Sequence, residues 1–114
     1  MIIALGFWSN YSLQASTEEL THNIDQISIS IENQRWEAAR VQTDKFEKIW
    51  QDKARWWPII MDHQEMDNIE FSLARFKEYV NCQDNSLARG QLSELRLMIR
   101  HIPQKEAVTI KNIL

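Results

Sequence analysis

Turn-forming residues are scarce in this chain. Its 114 residues include two glycines and two prolines, too few for an all-β sandwich or barrel that turns every 8–12 residues or so. One cysteine, Cys82, leaves no internal disulfide to form. No apolar run reaches the roughly 20 residues of a complete membrane span. No Lys or Arg occurs before Arg35. The sequence has no glycine-rich phosphate cradle, no P-loop, no G-x-S-x-G and no CxxC pair, which removes the motif-bearing nucleotide, hydrolase and redox classes. A net charge of −3 argues against nucleic acid as the main partner, since phosphate binding needs a dominant basic surface.

What remains is helical and apolar enough to fold. Hydrophobic residues make up 44% and charged residues 25%, which suits one globular domain with a core that needs no metal or disulfide staple. The chain is organised around Trp56-Trp57-Pro58, where a proline disfavours helix at Trp57 and is tolerated in the first turn of a helix starting at Pro58. On the N-terminal side, Leu13, Thr17, Leu20, Ile24, Ile27 and Ile31 alternate steps of four and three, a heptad seam for a first helix. Ser16 and Glu19 have the spacing of a capping box. Within the seam, Ile27 to Ile31 also alternates like a strand; the longer heptad decides for helix and turns Ile29 outward. Asn33-Gln34-Arg35 is the expected turn.

A second helix carries Trp36, Ala39, Thr43, Phe46 and Trp50 on one stripe. A third, from Pro58, carries Ile59, Met66, Ile69, Leu73, Phe76 and Val80. Asn81 to Asn85 forms a polar turn with Asp84 or Asn85 as N-cap. A fourth helix shows Ala88, Leu92, Leu95, Ile99 and Ile102 and is expected to stop at Pro103, before a short C-terminal helix or tail. A shift of 49 positions lays Leu20, Ile24, Ile27 and Ile31 on Ile69, Leu73, Phe76 and Val80, and Ala39-Arg40-Val41-Gln42 on Ala88-Arg89-Gly90-Gln91. The fold expected is therefore all-α: an antiparallel bundle of four helices made of two helical hairpins. Acids dominate the first helix, and from Ser86 onward basic residues outnumber acids, so these two helices are expected side by side.

Met1 to Trp8 carries no charge and is followed by Tyr11. This resembles the outer end of a membrane span, with aromatics at headgroup level, and the lack of Lys or Arg up to Gln34 fits a non-cytoplasmic flank. Residues 1–12 are accordingly expected to belong to an N-terminal anchor and 13–114 to the bundle, which lies outside the cell membrane.

The run Trp50 to Trp57, Asp62 to Glu70, Leu73-Ala74-Arg75, His101-Ile102-Pro103 and Lys111-Asn112-Ile113 resemble a bacterial family of short proteins, domain-of-unknown-function family 4363. The resemblance covers most of the chain after Ser16. It implies a Firmicutes-type protein with an N-terminal membrane helix, and it brings no established activity, cofactor or catalytic residue.

Two functional classes follow. In the first, the chain is a non-enzymatic interaction module at the extracytoplasmic membrane face, without cofactor, meeting a protein partner such as a membrane protein. Trp56, off the second helix's stripe, and the outward Ile29 are its candidate contact residues. In the second, it is a small metal-binding protein or metal-dependent enzyme. His63, Asp67 and Glu70 stand at i, i+4 and i+7 on one helix face, and imidazole with carboxylates is a metal-ligand set. That face supplies one histidine, so His22 or His101 would have to complete the shell. The structural reading of the same cluster is a polar cap on the core, with Asp62 on the seam: Asp62 and His63 bond neighbouring side chains or helix-end backbone groups without a metal, and the cluster pairs with Arg55, Arg96 or Arg100. Cys82, in a turn, is expected to be a half-buried thiol.

Overall fold

The computed structural model describes the backbone of residues 2–55 and 62–113, and the side chains of residues 14–55 and 62–102. Four helices follow one another: α1 (Ile2–Glu32), α2 (Trp36–Ala54), α3 (His63–Asn81) and α4 (Asn85–Ile113). The architecture is the expected all-α four-helix bundle, and no strand occurs among the described residues. Neighbours around the bundle are α1–α2, α2–α3, α3–α4 and α4–α1. At about 1.5 Å per residue, the 31 residues of α1 account for about 46 Å of the 49 Å long axis.

The heptad explains α1. Leu20, Ile24, Ile27 and Ile31 are buried against the other three helices' stripes, and Thr17 is buried with them. The strand-like run Ile27–Ile31 stays helical because two of its three isoleucines gain burial that way; tertiary packing overrides local propensity. Ile29 is left 58% exposed. Polar side chains inside the helix turn back on its own carbonyls. Thr17 donates to Gln14 O at 2.8 Å, Thr21 to Thr17 O at 2.8 Å, and the Asn23 amide to Glu19 O at 3.0 Å. Ser16 does not cap a helix start, because α1 is already helical from Ile2.

The remaining core is the one the spacing indicates. Ala39, Thr43, Phe46 and Trp50 of α2, Met66, Ile69, Leu73, Phe76 and Val80 of α3, and Ala88, Leu92, Leu95, Ile99 and Ile102 of α4 are all buried. Trp36 packs on the core while partly exposed. Ile59 and the Trp56-Trp57-Pro58 corner lie outside the described residues.

Two boundaries differ from the sequence reading. Helix α3, expected from Pro58, starts at His63, because Asp62 is extended (φ −67°, ψ 137°) and its carboxylate accepts from the Gln64 N–H at 3.3 Å. An N-cap aspartate satisfies one of the free donors of the first turn. Helix α4 does not stop at Pro103 but continues to Ile113. A proline removes a single N–H from the ladder, and helical apolar spacing resumes behind it at Ala107 and Ile110.

The two hairpins share more than an apolar pattern. Both turns close with a left-handed glutamine, Gln34 (φ 58°) and Gln83 (φ 55°), 49 positions apart. Around the first, Arg35 N–H donates to Ser30 O at 2.8 Å and Gln34 N–H to Ile31 O at 3.0 Å; around the second, Asp84 N–H donates to Tyr79 O and Gln83 N–H to Val80 O, both at 3.0 Å. Each is a 6→1 bond enclosing a 5→2 bond, the Schellman arrangement that ends a helix. The flanking bonds Asn33–Ile29, Cys82–Glu78, Ala39–Arg35 and Ala88–Asp84 also coincide under the shift. Asp84 then caps α4, accepting from the Leu87 N–H at 3.0 Å.

Two measurements check this packing. Phe76→Ala, at a fully buried site, should lower stability by about 3–5 kcal/mol in denaturant unfolding; a midpoint that hardly moves would place Phe76 outside the core. Gln34→Gly and Gln83→Gly should each raise stability by about 1 kcal/mol, since a left-handed conformation penalises any residue with a Cβ. The equivalence of the turns predicts similar gains at the two sites.

Candidate functional site

The charge asymmetry is spent between helices. On α1, Asp25 pairs with Arg96 of α4, Glu32 with Arg89 of α4 at 3.7 Å, and Glu19 with Lys53 of α2 at 3.7 Å. The acidic first helix and the basic last one therefore lie side by side, as their composition implies. Arg96 is thereby committed to Asp25 and not to the start of α3, while Arg100 lines a shallow cleft with Gln14, Thr17, Glu18, Thr21, His22 and Asp25. His22 contacts Gln26 at 3.2 Å.

The acid-and-histidine face of α3 is open. Asp62, His63, Asp67 and Glu70 are all exposed, so Asp62 is a cap at the helix end and not a charge on the apolar seam. Its bond to the Gln64 N–H is the helix-end contact expected of it. Further along the same helix, the face turns into a groove against α2. Glu47, Trp50 and Gln51 of α2 and Glu70, Leu73, Ala74, Lys77, Glu78 and Asn81 of α3 enclose about 470 Å³. Its crossing is held by Lys77, whose ammonium donates to both oxygens of Glu47 at 3.0 and 3.1 Å. Of the three candidate ligands, the groove takes in Glu70 and leaves His63 and Asp67 beyond its edge. Among the described residues no three His, Cys, Asp or Glu side chains come together in a way that could hold a metal ion. His22 and His101 do not join His63 in such a group.

Other candidates have simpler placements. Trp56 lies outside the described residues. Ile29 projects outward from α1, and among the described residues Val41, Phe71, Leu87 and Leu97 are the other large exposed apolar side chains. They are spread over all four helices, and singly exposed apolar residues are ordinary on a folded surface. Cys82 is exposed rather than half-buried, with its thiol 3.9 Å from a Glu78 carboxylate oxygen, because it occupies the cap residue of a turn and not the stripe of either helix.

Sequence reasoning missed the buried polar contacts. Gln91 of α4 donates to the hydroxyl of Ser72 of α3 at 2.6 Å, and Ser72 is 0% exposed. In the other hairpin, the Ser30 hydroxyl of α1 donates to Gln42 of α2 at 2.7 Å. Gln42 and Gln91 are 49 positions apart, so the repeat held the signal: a glutamine kept at the same place in both copies. Each satisfies a polar group that burial would otherwise penalise.

Residues 7–113 match the family model described as a domain of unknown function (DUF4363). The chain belongs to this family. No curated protein and no solved structure matches it. Family membership thus brings to this DUF4363 chain no assigned activity against which the groove or the face of α3 can be set, and the chemistry must be read from the side chains. What the described residues offer is a few interhelical ion pairs, a groove between α2 and α3 bridged by Lys77 and Glu47, and a capped helix start.

Variants at that helix start separate cap from ligand. Asp62→Ala should cost about 0.5–1 kcal/mol, the low end for an N-cap, given its 3.3 Å bond. His63→Ala, at an exposed site, should stay within about 0.5 kcal/mol of the parent. Denaturant midpoints measure both; a larger loss at His63 than at Asp62 would reverse the assignment of the cap.

Proposed function

We propose that this DUF4363 chain is a non-enzymatic helical interaction module, held at the extracytoplasmic face of a bacterial membrane by its N-terminal end. The observation that supports it is the make-up of α1. The uncharged run Met1–Trp8 leads, within one helix from Ile2 to Glu32, into a segment whose charges are all acidic as far as Gln34. An uncharged apolar lead with Phe7, Trp8 and Tyr11 at its end suits insertion to headgroup depth, and a flank without Lys or Arg suits the outer side. Among the described residues no helix is long and apolar enough to cross a membrane. The bundle would then stand on the membrane as a rigid body whose outward faces meet another protein, with a membrane protein the natural class.

Fractionation of bacterial cells making the protein tests this reading. The chain should sediment with membranes and be digested by protease added to intact, wall-stripped cells, and Leu5→Asp with Trp8→Asp should release it from the membrane fraction. Recovery of the parent chain in the soluble cytosolic fraction, resistant to external protease, would overturn the proposal. Metal analysis of the same purified protein addresses its chemistry: a stoichiometric transition metal that His63→Ala removes, with the fold intact by circular dichroism, would move the assignment to a metal-dependent enzyme built on His63, Asp67 and Glu70.

A further inference from the structure

No further inference is drawn: the strongest candidate, the groove between α2 and α3 that Glu47, Glu70, Glu78 and Lys77 line over Trp50 and Leu73, is an acidic surface cleft, and nothing in the structure shows what occupies it.

Discussion

One constraint governs the molecule: each helix has a single apolar stripe, and none can bury it alone. Leu20, Ile24, Ile27 and Ile31 of α1 reach full burial only because the stripes of α2, α3 and α4 close around them. Apolar burial stabilises by roughly 25 cal/mol for each Å² removed from water, and a ring of four amphipathic helices leaves little of those stripes wet. The polar features are subordinate to that closure. The Thr17 and Thr21 hydroxyls in α1 bond back to their own helix, and Glu19, Asp25 and Glu32 of α1 find bases on α2 and α4. Surface pairs of this kind contribute little individually; their effect is to favour α4 over other surfaces as the neighbour of α1.

The hairpin is the unit from which this closure is built, and it is used twice. Left-handed glutamines, Schellman bonds and buried stripes recur at an interval of 49 residues, and so do Gln42 and Gln91, each bonded to a serine at a different place in its hairpin. The copies differ where they meet the other hairpin. On the α1–α4 side the base sits on α4 and the acid on α1, whereas on the α2–α3 side Glu47 supplies the acid and Lys77 of α3 the base. Equivalent backbones thus carry opposite charge arrangements, which distinguishes one interface from the other.

Much of this was legible in the residues. Burial of a stripe follows from spacing, so Phe46, Trp50, Ile69, Leu73, Phe76, Leu92 and Leu95 could be named as core before any coordinates. The charge drift from α1 to α4 was equally readable, because complementary helices pack together whatever the details. Helix ends were harder. The start of α3 at His63 rests on the extended backbone of Asp62 and its carboxylate's bond to a free N–H, a local feature that periodicity does not report. The candidate site was the least legible part. His63, Asp67 and Glu70 share a helix face by periodicity, but a metal shell also needs ligands from a facing helix, and the distances that bring such groups together are set by packing. Arg96 illustrates the point: its spacing on α4 allowed a partner on α3, and the packing turned it toward Asp25 on α1.

The central claim is that two equivalent hairpins form one cooperative core. Native-state amide hydrogen exchange tests it most directly, because it reports the opening free energy of each helix separately. The amides of Ile24 and Ile27 in the first hairpin and of Leu73 and Phe76 in the second should exchange with the same free energy, equal to that of global unfolding. A clearly lower value for one hairpin, while the other keeps the global value, would mean that the halves fold independently and would contradict the shared core.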